Sequence, residues 1–302
     1  MDVSEMVRHS VEMPDKRYEA LWDSIVVDQS IKDRLLRSAG LSLRLREELP
    51  FEVTALHGLA LLYGPPGTGK TTLARGLAHQ LSKITKTRKA RFIEVNPHGL
   101  MSAEHGQSQR KVTELLTQHL PGLAADGMPT VVLLDEVESM AVARSEASLA
   151  ANPADVHRAT DAVLSALDAN TVDYPNLFWV TTSNFTGALD GAFLSRVDVA
   201  INVPAPDVHG TLAILKTTLT KMSSAFPELA KLAADGDLKR VAHELAGLDG
   251  RRVRKTVSEA MLVRIETVID PGVLTIDDLW IAASRVRQSD SVQVGAGGEH
   301  AA

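Results

Sequence analysis

The most specific chemical pattern in the sequence is the glycine-rich segment GPPGTGKT at positions 64–71. It matches the spacing G-x-x-x-x-G-K-[ST] and lies between an apolar run and a helical pattern. Glycine permits the backbone angles that turn successive N–H groups inwards, towards phosphate oxygens. The lysine of such a loop reaches the β- and γ-phosphates, and the next hydroxyl binds Mg²⁺. The segment therefore predicts a site for a nucleoside triphosphate with Mg²⁺, formed by Gly64, Pro65, Pro66, Gly67, Thr68, Gly69, Lys70, Thr71 and Thr72.

A pair of carboxylates, Asp135 and Glu136, follows the β-branched run TVVLL. A strand of a parallel sheet delivers the residues at its carboxyl end to the ligand crevice. On its own, an acidic pair after a strand is most often a solvated loop or a helix cap. In a chain with a phosphate-binding loop, the pair instead predicts that Asp135 binds Mg²⁺ together with Thr71. Glu136 is then the predicted base that polarises a water molecule.

Five short apolar runs predict the strands that position these side chains. They are Leu59–Tyr63, Phe92–Val95, Thr130–Leu134, Leu177–Thr182 and Val199–Val203. Helical patterns lie between the runs, and one of them places Val156, Ala159, Val163 and Leu167 on a single face. Strands that alternate with helices favour crossover connections. The sequence therefore predicts an α/β fold with a parallel five-stranded sheet.

The strand pattern stops near Pro204, and helical patterns follow it. One apolar stripe in that part holds Val253, Val257, Met261, Ile265 and Val268. The first 20 residues are polar and mixed in charge, and the last 15 are rich in Ser, Gly and Ala. The predicted organisation is an N-terminal arm (1–20), an α/β nucleotide-binding domain (21–207), a helical domain (208–287) and a flexible tail (288–302).

The overall composition argues against several other functions. The 302 residues include 32 Lys and Arg against 38 Asp and Glu, and a net charge of −6 does not favour a nucleic-acid or membrane partner. The chain has no cysteine, which excludes disulfides, thiol catalysis and thiolate zinc sites and fits a reducing compartment. The N-terminus lacks a signal-peptide core, and no apolar run approaches the ~20 residues that span a bilayer. We therefore expect a cytoplasmic protein.

The phosphate-binding loop, the run LLDE at 133–136 and the run TTSN at 181–184 together resemble an AAA+ ATPase. The resemblance implies that the nucleotide is ATP and that the helical domain is a lid. In that family an asparagine after the fourth core strand, termed sensor 1, helps to position the attacking water. Asn184 occupies that place, although without the resemblance it would be taken for a turn residue.

Further motifs narrow the resemblance to the pachytene-checkpoint type of AAA+ ATPase, which remodels HORMA-domain proteins. They are DEVES at 135–139, AR at 143–144, D-x-x-R-x-x-DAVL at 155–164, F-x-x-RVD at 193–198 and GL-x-GR-x-x-RK at 247–255. The similarity extends from about Leu21 to Arg287. The loop and the acidic pair are specific to the superfamily, whereas the combination of motifs points to the subfamily.

Two arginines take roles by their position in these motifs. Arg196 matches the arginine finger, which reaches the nucleotide of a neighbouring subunit and stabilises charge during phosphoryl transfer. The alternative for Arg196 is an ordinary surface ion pair. Arg251 matches sensor 2 at the start of a lid helix, where a cation opposes the helix dipole and so suggests an anionic partner. Its alternative is a solvated helix residue, and Arg252 is the weaker candidate for the same role.

The segment LWDSIVV at 21–27 resembles the part of the family that holds the adenine base. Val26 and Val27 are the candidate base contacts, and Trp22 and Val26 fit the hydrophobic core equally well. Substrate-gripping pore loops are expected at 101–107 and within 144–152. Members of the family usually carry an aromatic residue in the first of these loops, and this chain offers His105 instead.

The resemblance implies a ring, expected to be a homohexamer, that uses ATP and Mg²⁺ to disassemble HORMA-domain complexes. The compact form is similar to bacterial members that act on a HORMA protein bound to a nucleotidyltransferase and restrain antiphage signalling. Two alternatives stay open. One is a different AAA+ function, such as a DNA-associated loader or a protease-partner unfoldase. The other is a nucleotide-dependent scaffold without turnover.

Overall fold

The computed structural model describes residues 7–95, 113–139, 153–185, 187 and 189–298. The strands are β1 (Val7–Met13), β2 (Leu59–Tyr63), β3 (Ala90–Val95), β4 (Thr130–Leu134), β5 (Leu177–Ser183) and β6 (Val199–Asn202). The helices up to β6 are α1 (Lys16–Ser24), α2 (Gln29–Glu48), α3 (Phe51–Thr54), α4 (Lys70–Ile84), α5 (Leu120–Ala124), α6 (Pro153–Asp173) and α7 (Gly191–Leu194). The later helices are α8 (Val208–Met222), α9 (Leu229–Ala234), α10 (Leu238–Leu245), α11 (Gly250–Ala260), α12 (Ile265–Ile269) and α13 (Ile276–Gly298).

The contacts divide the chain into two compact units. The first runs to Gly64 and from Gly69 to Val203, and it contains the sheet. The second combines Pro65–Thr68 with the residues from Pro204 onwards. None of the helices in the described part of the chain combines the length and apolar composition that crossing a bilayer requires.

The sheet of the first unit has six strands in the order β1-β3-β4-β5-β2-β6. The five predicted strands are all present, and they pair in parallel, so the α/β prediction is confirmed. Along β2, Leu59 and Leu61 face one apolar cluster, whereas Ala60 and Leu62 face the other. A parallel strand that is covered on both faces reads as a continuous apolar run, which explains why LALLY was recognisable.

The two faces of the sheet are covered by different elements. One layer places Leu73, Leu77 and Leu81 of α4 against the sheet, with Phe92 and Phe178 in the same cluster. The other layer contains Trp179 of the sheet and Leu167 of α6. Both layers are predominantly apolar, so the sheet is buried on its two faces.

The sixth strand, β1, comes from the segment that composition predicted to be an N-terminal arm. It pairs antiparallel with β3, with Met13 opposite Ala90 and Val7 opposite Val95. The fully buried carboxylate of Glu94 accepts hydrogen bonds from Arg75 at 2.8 Å and from Arg8 of β1 at 3.1 Å. Burial opposes ionisation of Glu94, but these two guanidinium groups hold its pKa below its ordinary value. The polar arm is thus a strand that pairs along β3, buries Met13 and adds Arg8 to the ion pair of Glu94.

In the second unit, α8 packs against α9, α10 and α11, and α13 packs against α10 and α11. Val253 and Val257 of α11 are buried, as their spacing predicted. The stripe does not continue, because α11 ends at Ala260 and leaves Ile265 and Val268 exposed on α12.

The last helix, α13, extends to Gly298, into the segment predicted as a flexible tail from residue 288. Its packing side includes Leu279, Ala282 and Ala283, which are buried. Once packing fixes the first turns of a helix, each further residue adds a hydrogen bond at little cost. The Ser- and Ala-containing composition was therefore a weak guide to its end.

Candidate functional site

The phosphate-binding loop begins where β2 ends and finishes where α4 begins. Gly64 has φ = 139° and lies directly against the backbone of Val203, so that a side chain there would collide with the Val203 carbonyl. Gly69 has φ = 98°, and an added Cβ would lie 2.7 Å from Ile25. Glycine at these two positions allows the chain to turn tightly from strand to helix. The amino end of α4 therefore meets the loop, and the first backbone N–H groups of a helix are suited to bind an anion.

Lys70 is nearly buried, with 6% of its surface exposed. Its Nζ donates to the Gly64 carbonyl and to Asn184 Oδ1, both at 2.8 Å. Burial lowers the pKa of Lys70, and the nearby carboxylates of Glu138, Asp135 and Glu136 oppose this shift. The structure thus brings the predicted lysine and the predicted sensor asparagine into direct contact, at the carboxyl ends of neighbouring strands.

The predicted metal ligands also meet. Thr71 Oγ1 donates to Asp135 Oδ1 at 2.8 Å, which links the start of α4 to the end of β4. A hydroxyl and a carboxylate at this separation are oxygen donors of the kind that Mg²⁺ prefers. The chemistry of the donor set therefore fits the predicted ion.

Thr182 of β5 completes this group, although the motif analysis gave it no role. Its Oγ1 donates to Asp135 Oδ1 at 2.5 Å and accepts the backbone N–H of Glu136 at 2.9 Å. The parallel register places Leu134 opposite Thr181, so Thr182 lies beside Asp135. The register of the two strands was the signal that could have identified this residue.

Glu136 follows with a left-handed backbone, φ = 53°, which is unusual for a residue with a side chain. Its backbone N–H is held by Thr182, and its side chain is exposed. Strained conformations of this kind concentrate at functional sites. The turn separates the two carboxylates of the acidic pair, so that one is linked to Thr71 and the other faces solvent.

Glu138 is a further acidic residue of the site that the motif analysis did not single out. Its Oε1 accepts the backbone N–H of Asn184 at 3.1 Å. Its Oε2 is buried and has no hydrogen-bond partner in the described part of the chain. Glu138 therefore fixes the backbone that carries the Asn184 side chain.

The candidate adenine segment lies between α1 and α2. Trp22 is buried against Gly76 of α4, so of its two interpretations the core is correct. Val26 and Val27 are half-buried, and Val27 packs against the apolar layer that contains α4. Ile25, which the motif analysis did not name, makes the close approach to Gly69.

The candidate sensor 2 lies in the second unit. Asp249 caps α11 by accepting the backbone N–H groups of Arg251 and Arg252 at 2.9 and 3.0 Å. The same carboxylate lies against Gly67, at the tip of the phosphate-binding loop. Arg251 is exposed in the first turn of this helix. The carboxylate cap reduces the unfavourable effect of the helix dipole on that cation.

Arg196 lies just before the amino end of β6, whereas the phosphate-binding loop follows the carboxyl end of the parallel strand β2. Its Nε and Nη2 each donate to one oxygen of Asp168 at 2.6 Å, and its Nη1 donates to the Ala192 carbonyl at 2.7 Å. The pKa of Arg196 is raised and that of Asp168 is lowered, in both cases chiefly by this paired hydrogen bond. The alternative predicted for Arg196, an ion pair, is thus present within the chain.

Two further titratable groups surround this ion pair. Asp198 accepts the backbone N–H groups of His57, Gly58 and Leu59 at 2.9, 2.7 and 3.0 Å. His57 Nε2 lies 3.8 Å from Asp168 Oδ1. Burial lowers the pKa of His57, and the charges of Asp198 and Asp168 oppose that shift. We call Arg196, Asp168, His57 and Asp198 the amino-edge cluster.

The predicted pore loops, at 101–107 and within 144–152, lie outside the described residues, and so does His105.

Comparisons with known proteins agree on the class of this molecule. Residues 60–205 match the ATPase family associated with various cellular activities (AAA). The chain is 45% identical to CD-NTase-associated protein 6 of Pseudomonas aeruginosa over 282 residues. The aligned residues cover 93% of this chain and 92% of the relative. The chain therefore belongs to the AAA family of ATPases.

Its similarity within that family extends to the pachytene checkpoint protein 2 homologues. The Danio rerio protein is 30% identical over 305 residues, which cover 93% of this chain and 72% of the relative. The Arabidopsis thaliana protein is 35% identical over 215 residues, and there the match spans only 46% of the relative.

Two solved structures have the same fold. One is a chain in the structure of the HORMA:CdnC:Trip13 complex of Escherichia coli MS115-1, with a TM-score of 0.75 and 15% identity over 94% of this chain and 96% of that chain. The other is Caenorhabditis elegans PCH-2, with a TM-score of 0.73 and 23% identity over 94% of this chain and 75% of that one.

Proposed function

We propose that this chain hydrolyses ATP in a ring, expected to be a homohexamer, and uses the energy to disassemble a HORMA-domain protein complex. The observation that carries the hydrolase part is the contact network at the carboxyl ends of β4 and β5. It joins Lys70 to Asn184 and Thr71 to Asp135 within 2.8 Å. These are the groups that binding a triphosphate, holding a metal and positioning a water require.

The residues of the chain divide the chemistry between them. The loop N–H groups and Lys70 bind the phosphates, and Thr71 with Asp135 holds Mg²⁺. When bound, Mg²⁺ neutralises charge on the β- and γ-phosphate oxygens. Asn184 orients the attacking water, and Glu136 accepts its proton. Thr182 orients the Asp135 carboxylate and the backbone of Glu136 by a hydrogen bond to each.

Arg196 is proposed to act on the nucleotide of a neighbouring copy. The amino-edge cluster lies at the start of β2, because Asp198 binds the N–H groups of His57, Gly58 and Leu59. The phosphate-binding loop lies at the other end of this five-residue strand, about 17 Å away at ~3.3 Å per residue. That distance exceeds the length of an arginine side chain. A ring supplies the missing arginine from the next copy.

The substrate is proposed from the relatives. The relative from Pseudomonas aeruginosa is named for association with a CD-NTase, and a structure with the same fold is a complex with HORMA and CdnC. We infer that this chain separates a HORMA-domain protein from a nucleotidyltransferase and so restrains antiphage signalling. Arg251 serves as sensor 2, and Val26 and Val27 hold the base.

The test uses the purified chain, a HORMA-domain protein from the same genome, and its nucleotidyltransferase. ATP turnover is expected to rise with the HORMA protein, and the complex is expected to come apart in gel filtration only when ATP is supplied. Glu136→Gln should bind ATP without hydrolysing it and retain the HORMA protein. Glu52→Gln, which changes an exposed carboxylate outside the site, is the control and should behave as wild type.

Three other results would contradict the proposal. Stimulation of turnover by DNA alone would favour a DNA-associated loader. Stimulation by a protease, without an effect of the HORMA protein, would favour an unfoldase partner. Binding of ATP with no turnover at any protein concentration would indicate a nucleotide-dependent scaffold.

A further inference from the structure

We propose that Asp168 is the positioning residue for Arg196: it holds one edge of the guanidinium so that the remaining N–H groups face a nucleotide bound to a neighbouring copy. The inference rests on the proposed function, because it assigns Arg196 to hydrolysis in that copy. Asp168 touches no nucleotide itself and acts only through the arginine.

The geometry leaves the arginine partly used. A guanidinium has five N–H donors in a fixed plane. Three are used within the chain, two by Asp168 and one by the Ala192 carbonyl. The described residues leave two donors, on Nη1 and Nη2, for an anion. A guanidinium group whose plane is fixed by a carboxylate on one side has its remaining N–H donors already oriented to bind a phosphate.

Asp168 is not the residue that holds this edge of the sheet together. That function belongs to Asp198, which is nearly buried and binds three backbone N–H groups at the start of β2. Asp168, by contrast, is 47% exposed, and the bonds that it accepts at hydrogen-bond distance in the described chain come from the Arg196 side chain. An exposed ion pair contributes little to stability. The two short bonds are therefore better explained by orientation of Arg196 than by folding.

Asp168 is also carried by a rigid element. It belongs to α6, a helix of 21 residues, and Leu167 beside it is buried in the apolar layer on the sheet. Arg196 follows the short helix α7, in which Phe193 is fully buried. Both members of the ion pair are thus fixed by packing at their backbones. Only the direction of the guanidinium is left for the carboxylate to set.

The experiment compares ATP turnover and ATP affinity in the assembled full-length protein for Asp168→Asn, Asp168→Glu and wild type. Asp168→Asn keeps the shape but loses the charge and one acceptor. We expect kcat to fall about 10- to 100-fold, the range for misplacing a catalytic group by about 1 Å, while ATP affinity stays within about twofold. Asp168→Glu should recover part of the loss, because it restores a carboxylate. Asp173→Asn, which changes an exposed aspartate on the same helix, is the matched control and should keep wild-type turnover.

A double-variant comparison separates positioning from a structural role. If Asp168 acts only through Arg196, Asp168→Asn should lower kcat no further in a chain that already carries Arg196→Ala. An additive loss in that background, or a lower melting temperature that accounts for the lost turnover, would overturn the proposal. So would unchanged or increased kcat in Asp168→Asn while Arg196→Ala is inactive, and in that case the proposed function would stand. Absence of turnover in wild type under every assembly condition would instead overturn the proposed function.

Discussion

The two ends of β2 carry candidate functional groups that differ in how many hydrogen bonds they make to the residues that the structure describes. At the carboxyl end, Lys70 donates to Asn184, and Thr71 and Thr182 both donate to Asp135. At the amino end, Arg196 is held by the half-exposed carboxylate of Asp168 and by the Ala192 carbonyl, and the residues that the structure describes leave two of its five donors available. The carboxyl end is pre-organised within one molecule, whereas the amino end is only oriented. Under the proposed function, this difference separates the part of the reaction that a single copy prepares from the part that it offers to another copy.

The largest effect that would test this contrast is expected at Lys70. In Lys70→Ala, the loop loses its buried cation, and ATP affinity should fall at least about 100-fold, so that turnover is lost as well. Isothermal titration calorimetry with ATP and Mg²⁺ measures the affinity. Lys83→Ala changes an exposed lysine on the same helix, which is paired with Glu19, and should bind ATP normally. Unchanged affinity in Lys70→Ala would refute the phosphate-binding assignment.

The next effect is expected at the other end of the strand. Arg196→Ala should lower kcat by about 10³-fold, the effect of removing an arginine finger, and leave ATP binding to the isolated chain nearly unchanged. Mixing this variant with the Lys70→Ala variant should restore part of the turnover, since each copy supplies what the other lacks. Arg37→Ala, at an exposed surface ion pair, provides the control. A large loss of affinity in the isolated chain would place Arg196 in its own nucleotide site.

The smallest of these effects is expected at Thr182, inside the carboxyl-end network. Thr182→Val removes the donor to Asp135 and leaves the N–H of Glu136 without its acceptor, so kcat should fall about tenfold. The Mg²⁺ concentration for half-maximal turnover should rise, because Asp135 loses its orientation. Thr181→Val is the neighbouring control, since its hydroxyl binds the Ala60 carbonyl away from the site. Equal effects of both variants on turnover would mean that Thr182 acts through stability alone.

The sequence predicted the carboxyl end better than the amino end, for a physical reason. The phosphate-binding loop is local, since a strand, a glycine-rich turn and a helix that follow one another create the whole cradle. Asp135 and Asn184 could be added because parallel strands end at the same edge. Thr182 and Glu138 were missed as site residues because their roles depend on strand register and on a single backbone N–H group. Both residues lie inside the quoted motifs TTSN and DEVES, but their place in a motif does not show which groups they contact.

The amino-edge cluster shows what pattern analysis leaves out. Arg196 was found through a resemblance, but its partner is 28 residues earlier on α6, where an acidic residue resembles any other on a solvated helix face. The organisation of the ends of the chain was misjudged for a similar reason. Composition predicted a polar arm over residues 1–20 and a flexible tail rich in Ser, Gly and Ala over residues 288–302, whereas residues 7–13 pair with β3 and the last helix extends to Gly298.

The pairing of β1 with β3 also has a consequence for solubility. β3 holds buried apolar residues such as Phe92 and Ile93, and its neighbours are β1 on one side and β4 on the other. A variant that lacks residues 1–13 would expose the edge of β3. Its unpaired backbone N–H and C=O groups could then pair with strands of other molecules. The polar strand β1, which carries Arg8, His9 and Glu12, therefore protects the chain against aggregation by covering this edge.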